Sequence, residues 1–316
     1  MALHVIVGKG PIGSTVAQQL ADAGEDVRVL SRSGGQSAGR IEHRVVDATD
    51  AAALTAAARG AVSLYNCANP PYHRWATDWP PLAGALLAAA EATGAVYAVT
   101  GNLYPYGPQN GPMTETSKEL ATDTKGMVRA KMWRDAKALH DAGRIRAVEV
   151  RGSDFYGPGV RDQGHFGDRA MPKLLSGRAI ALLGNVDVPH SFTYVPDVAR
   201  ALIAAADNAA MWGKAWHVPT APAGTQRQMA EALAAAAGAP AAKVRRLPWA
   251  VLSTLGLVNP MMREITKLRY QFDASYVLDS TRTEAVLGQT PTPLAVGSGE
   301  TVAWWKAQSG MAVAAR

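Results

Sequence analysis

One cysteine in 316 residues, Cys67, excludes an internal disulfide framework and a cysteine-rich metal site. It lies in the apolar run VSLYNC and reads as a buried structural thiol. The 7 histidines show no metal-ligand spacing, so no metal is expected. No uninterrupted apolar run reaches the roughly 18 residues that a membrane helix needs, so no membrane partner is expected. The opening MALHVIVGKG lacks a basic stretch, and Gly8 and Lys9 break its apolar run early. It reads as a strand and not as a signal peptide, which makes a cytoplasmic location the expectation. Aromatic residues are scarce at 7% and do not interleave with the basic ones as a base-stacking platform requires. The net charge of +6 therefore points away from nucleic acid. Its densest groups, Lys243, Arg245 and Arg246 and then Arg263, Lys267 and Arg269, read as a solvated face.

What the sequence does contain is alternation. LHVIVG, DVRVLS, HRVVDA, AVSLYNC, AVYAVTG and IRAVEVRG are short apolar runs rich in Val, Ile and Ala. Helical stretches separate them at Ile12–Ala23, Ala51–Arg59, Leu82–Thr93 and Lys118–Ala142. Such β-α-β order predicts an α/β protein with a doubly wound parallel sheet, whose strands are apolar on both faces because helices cover both. After Tyr156 the turn Gly157-Pro158-Gly159 breaks the pattern, and short helices with proline-containing connections follow. The expected division is a dinucleotide-binding core at 1–158 with a return segment at 187–212, and a smaller substrate lobe at 159–186 and 213–316.

Gly8, Gly10 and Gly13 form G-x-G-x-x-G, with Pro11 and Ile12 between, directly after the first strand and opening a helix. Glycines there permit a tight turn and bring backbone N–H groups close to a pyrophosphate at a helix N-terminus, the signature of a Rossmann-type cofactor site. The second strand then decides the adenosine ribose. An NAD site places an acid there to accept from the 2′-hydroxyl, but the chain reads Leu30-Ser31-Arg32-Ser33. Arg32 can pair with a 2′-phosphate, and Ser31 and Ser33 add hydrogen bonds, so NADP(H) is favoured over NAD(H).

Taken together, these residues resemble the extended short-chain dehydrogenase/reductase (NAD-dependent epimerase/dehydratase) family over nearly the whole chain. TGNLYPYGP is similar to the family's Ser-Ser-x-x-Val-Tyr-Gly segment, Arg151-Gly-Ser-Asp-Phe-Tyr-Gly-Pro to its Arg-Pro-x-x-Val-Tyr-Gly-Pro, and HSFTYVPDVARAL to its Arg-Asp-Phe-x-Tyr-Val-Asp-Asp-Val-Ala. The resemblance implies that Asp47 contacts the adenine edge and that Cys67 and Ala68 line the nicotinamide ribose. It also adds Thr100 and Gly152, at the ends of the fifth and sixth strands, to the cofactor set.

The same alignment shows departures. Asn102 stands at the catalytic serine/threonine position, and Met127 stands four residues before Lys131 where the family has its tyrosine. The resemblance leaves Lys131 to hold the nicotinamide ribose and to serve catalysis. Leu103 and Tyr104 replace the Asp-Glu pair of the 4,6-dehydratases, which disfavours sugar-nucleotide dehydration by that route. His190 replaces the arginine that opens the last motif, weakening the case for a nucleotide diphosphate substrate.

Methionine moves no proton, so another acid is needed. Tyr104 is the first candidate donor, Asn102 an orienting amide and Asp154 a base or acceptor, with His165 and His190 as further contacts. The expected function is an NADP(H)-dependent oxidoreductase acting on a carbonyl or activated alkene of a small metabolite. A sugar-type epimerase and a non-catalytic NADP(H)-binding sensor are the alternatives. The long helix at Lys118–Ala142 and the one before it are where a homodimer would form.

Overall fold

In the computed structural model, residues 1–162 and 164–314 are described. The first half alternates as expected: β1 (Leu3–Val7), α1 (Pro11–Asp22), β2 (Asp26–Ser31), β3 (Ile41–Val45), α2 (Ala51–Ala57), β4 (Ala61–Asn66), α3 (Trp75–Thr93), β5 (Val96–Asn102), α4 (Thr124–Asp141) and β6 (Arg146–Gly152). Next come β7 (Asp154–Tyr156), α5 (Met171–Leu175), β8 (Ile180–Leu183), β9 (Pro189–His190), β10 (Phe192–Tyr194), α6 (Val195–Asp207), β11 (Ala215–His217) and β12 (Gly224–Thr225). The chain closes with α7 (Gln226–Ala237), β13 (Val244–Leu247), α8 (Trp249–Gly256), α9 (Pro260–Thr266), α10 (Tyr270–Asp273), α11 (Thr281–Leu287) and α12 (Leu294–Ala314).

Seven strands form one parallel sheet in the order β11-β6-β5-β4-β1-β2-β3. The order reverses between β1 and β4, which opens a crevice at their carboxyl ends. Both sheet faces are dry. Leu54, Trp75, Trp79, Leu86 and Trp133 from α2, α3 and α4 cover one face; Val16, Leu20, Val198 and Leu202 from α1 and α6 cover the other. The fully buried β5 (VYAVTGN) therefore needs no alternation of polar and apolar residues.

Three boundaries differ from the sequence reading. The core's return segment does not stop at residue 212. It runs on to β11, which pairs with β6 at Trp216 and Val150, because Trp216 is buried against the α6 side of the sheet. α3 begins at Trp75 and carries Pro80 and Pro81 inside it. Interior prolines remove helix donors, but Trp75 and Trp79 are buried and hold that first stretch on the sheet. α4 begins at Thr124, capped by Asp123, whose carboxylate accepts from Lys125 N at 2.9 Å and Gly126 N at 3.0 Å. The lobe that follows has its own core, in which Phe166, Met171, Leu182, Leu233 and Trp305 meet.

Candidate functional site: a cleft at the sheet's switch point

The cleft begins where β1 ends. Gly8 takes φ +107°, and a Cβ there would meet the Cys67 carbonyl oxygen at 2.6 Å, so the turn passes between the ends of β1 and β4 with no room for a side chain. Gly13, one helical turn into α1, lies so close behind that a Cβ on it would overlap the Gly8 carbonyl oxygen. Lys9 Nζ donates to the Gly34 carbonyl at 2.6 Å and ties this turn to the loop after β2. No side chain caps the α1 N-terminus. Its first N–H groups are the donors that suit an anion.

From there the cleft, about 860 Å³, collects most of the expected cofactor residues on its walls: Gly8, Gly10, Pro11, Ile12, Ser31, Arg32, Ser33, Asp47, Cys67, Ala68, Thr100 and Gly152. Gly13 supports the turn from behind and is not on the wall. Arg32 is exposed at the rim. Asp47 accepts from Thr49 N at 3.0 Å and Thr49 Oγ1 at 2.8 Å, and these bonds, with Arg32 nearby, hold its carboxyl below the usual range. Burial pushes the Cys67 thiol up to about 12, beside Thr100 Oγ1 at 3.6 Å, which fits the structural role expected of it.

At the inner end, Asn102, Tyr104 and Asp154 line the cleft together with Tyr72, Trp75, Arg129 and Tyr276. The hydroxyls of Tyr72 and Tyr104 are hydrogen-bonded to each other, and Tyr104 N donates to Asn102 Oδ1 at 3.2 Å. Burial raises both phenols, so each is protonated at neutral pH. Asp154 Oδ2 accepts from His190 Nε2 at 2.6 Å and faces His165 Nε2 at 3.3 Å. Burial alone would raise that carboxyl, but the two imidazoles overcome it and hold it well below the usual carboxylate range. His190 is thus an internal partner of Asp154 and not a free cation. Tyr72 and Tyr276 are missed by the sequence reading, because they lie 32 residues before and 172 after Tyr104 and only the fold brings them to it.

Lys131 is not in the cleft. Its side chain is 67% exposed and pairs with Asp135 at 2.7 Å on the outer face of α4. Met127 is 49% exposed on the same face and fills no vacated position. The reason is helical phase. α4 buries Lys125, Gly126, Arg129, Ala130, Trp133 and Ala136, and residues two apart on a helix point about 200° apart. The i, i+4 pair facing inward is therefore Lys125 and Arg129. The buried small and aromatic stripe Gly126, Ala130, Trp133 and Ala136 carries this signal in the sequence.

Arg129 lies on the cleft wall. Its guanidinium sits 4.8 Å from the Trp75 ring and 4.5 Å from that of Trp79, and Nη1 donates to the Thr100 carbonyl at 3.1 Å. Its Nε is buried without a partner. Lys125 lies behind the wall, bonded to Glu264 Oε2 at 2.5 Å and 4.8 Å from the Tyr72 ring centre. Among the described residues no group of three or more His, Cys, Asp or Glu could hold a metal ion.

A glycine turn at the switch point of a parallel sheet, with a cleft running to paired phenols, defines a dinucleotide-binding protein of the short-chain dehydrogenase/reductase fold. The chain belongs to the NAD dependent epimerase/dehydratase family, whose model matches residues 5–218. Solved structures share the fold at low identity. UDP-N-acetylglucosamine 4-epimerase from Bacillus cereus is 17% identical, with TM-score 0.76 over 97% of each chain. dTDP-glucose 4,6-dehydratase from Bacillus anthracis, in complex with NAD, is 14% identical, with TM-score 0.81 over 98% of each. A putative epimerase from Burkholderia cenocepacia J2315 is 21% identical, with TM-score 0.73 over 97% of this chain and 98% of that one. No curated protein matches the chain.

Proposed function

We propose that this chain is an NADP(H)-dependent reductase acting on a carbonyl or activated alkene of a small metabolite, with Tyr104 as proton donor. The observation that carries the reading is the Tyr72–Tyr104 hydroxyl pair, protonated, half-buried and facing the same cleft as the glycine turn and Arg32. The residues fit the cofactor: the glycine turn sets the uncapped α1 N-terminus on the cleft for a pyrophosphate, and Arg32 with Ser31 and Ser33 supplies donors for a 2′-phosphate where no acid stands. When bound, the cofactor supplies the hydride.

The chain's own groups supply the rest. Arg129 is a fixed cation on the cleft wall, whose charge favours a developing oxyanion there. It takes the role that the sequence reading gave to Lys131. Asn102 Oδ1 is held by Tyr104 N, which leaves its amide nitrogen to orient an acceptor oxygen. Tyr104 gives its proton to that oxygen or to the adjacent carbon, and Tyr72 donates to the phenolate that forms. Asp154 stays ionised beside its two imidazole partners and adds a fixed negative charge at the inner end of the cleft.

Epimerisation of a sugar nucleotide is the second reading, favoured by the neighbours named above. Against it stands His190, buried against Asp154 and unable to serve as a diphosphate anchor. A homodimer through α3 and α4 remains a proposal. It would join outer faces on which Met127 sits among the Lys131–Asp135 and Lys137–Asp141 pairs. Incubation with NADPH and a panel of ketones and enones, following loss of cofactor absorbance, tests the main reading. No turnover with any member, while NADPH still binds, would leave the non-catalytic sensor.

A further inference from the structure

The α8–α9 hairpin buries one apolar face and leaves further apolar side chains exposed on the other. Its inner face, with Trp249, Leu252, Met262 and Ile265, packs against Leu268 and Phe272 and against Tyr72 and Tyr104 of the cleft wall. Its outer face leaves Val251 and Leu255 exposed on α8, one helical turn apart, and its tip presents Leu257 at 81% and Val258 at 86% exposure. Val251, Leu255, Leu257 and Val258 together expose more apolar surface than scattered single side chains do, with Ser253 and Thr254 between them, and nothing among the described residues covers it.

The charge around it is one-sided. Residues 241–273 hold six Lys and Arg (Lys243, Arg245, Arg246, Arg263, Lys267, Arg269) against two acids, Glu264 and Asp273, a net +4 of the chain's +6. Arg246 and Arg269 share Asp273, and Lys267 pairs with Glu264. Lys243, Arg245 and Arg263 have no carboxylate partner among the described residues, and Arg263 lies against Gly256 at the crossing of the hairpin. What the sequence alone reads as a solvated basic face therefore belongs to the same segment as an exposed apolar tip, with Arg263 at the crossing beside it. A second copy of this chain would set two such +4 segments against each other, which electrostatics opposes. An anionic lipid surface answers both features: it takes apolar side chains at the headgroup boundary and attracts Lys and Arg beside them.

We propose that the α8–α9 hairpin docks this protein peripherally on anionic phospholipid membranes, inserting Leu257 and Val258 while Lys243, Arg245 and Arg263 meet the headgroups. No helix of the described chain is long and apolar enough to cross a membrane, so the contact is superficial. The experiment is flotation of the full chain with phosphatidylcholine vesicles prepared with and without phosphatidylglycerol. Binding should require phosphatidylglycerol and should weaken about tenfold in a Leu257→Asp/Val258→Asp variant and in an Arg245→Ser/Arg263→Ser variant. All four side chains are exposed, so unchanged thermal melting and NADP(H) affinity should show both variants folded. Absence of binding to phosphatidylglycerol vesicles at about 0.15 M salt would overturn the proposal, as would full binding by the Leu257/Val258 variant or equal binding to pure phosphatidylcholine. Light scattering that shows a dimer of the native chain, dissociated by the Leu257/Val258 variant, would overturn it in favour of a second copy.

Discussion

Arg129 Nη1 donates to the Thr100 carbonyl at 3.1 Å, which binds the inner face of α4 to the carboxyl end of β5 and fixes a cation on the cleft wall. Thr100 and Arg129 both line the cleft proposed to hold the cofactor, so the pair couples the helix to that wall. Arg129→Ala should weaken NADP(H) binding by about tenfold or more, roughly 1.4 kcal/mol, and turnover should fall with it. Lys131→Ala removes only an exposed i, i+4 pair, worth about 0.3–0.5 kcal/mol, and should leave both unchanged. Calorimetric titration of the two variants checks this. A larger loss from Lys131→Ala than from Arg129→Ala would reverse the assignment.

Arg32 sets the second test. With Ser31 and Ser33 beside it and no acid at the end of β2, NADP(H) should bind at least about tenfold tighter than NAD(H). Arg32→Ala should cut NADP(H) affinity and leave NAD(H) nearly unchanged. Equal affinities for the two cofactors in the native chain would remove the preference.

The phenol pair predicts unequal effects. Tyr104→Phe deletes the proposed acid and should lower kcat about a hundredfold or more, with cofactor affinity kept. Tyr72→Phe deletes the hydroxyl that supports it and should cost less. Asp154→Ala should leave both phenols in place, but should unpair His190, which is buried, and lower the melting temperature. If Tyr104→Phe keeps full turnover, the donor lies elsewhere.

Stability should depend on His217. This imidazole is wholly buried between the Tyr106 hydroxyl at 2.8 Å and the Asp279 carbonyl at 2.7 Å, and burial lowers its pKa to about 4. In the unfolded chain it titrates near 6.5. As pH falls below about 6.5 the unfolded state takes up a proton that the folded state refuses, so stability declines toward pH 4, by on the order of 3 kcal/mol. Melting temperatures measured from pH 7 to 5 should drop in the native chain and drop less in His217→Gln. Parallel profiles would exclude His217 as the source.

The fold was legible because its signals are local. The glycine turn, six apolar runs and the alanine-rich helices each declare themselves within about ten residues, and their order alone requires a parallel sheet. That most of the expected cofactor residues share one cleft follows for the same reason, since its wall is built from strand ends and the turns after them. The helix that borders the inner end of the cleft was read in another phase, from the expectation that Lys131 faces inward. Its buried stripe Gly126-Ala130-Trp133 would have placed Arg129 inward and Lys131 outward.

The sequence by itself determined the doubly wound architecture, the place of the glycine turn and the absence of an acid beside Arg32, because each follows from residue type and short spacing. Only the tertiary structure decided which side chains meet at the inner end. Tyr72, Tyr104, Asp154, His190 and Tyr276 come from five separate segments, and burial and the partner that each finds there, not its own chemistry, make Tyr104 a protonated phenol and Asp154 a permanent carboxylate. Exposure was equally beyond the sequence. Leu257 and Val258 look like core residues on paper, and it is the packing of α8 and α9 on their opposite faces that leaves them outside.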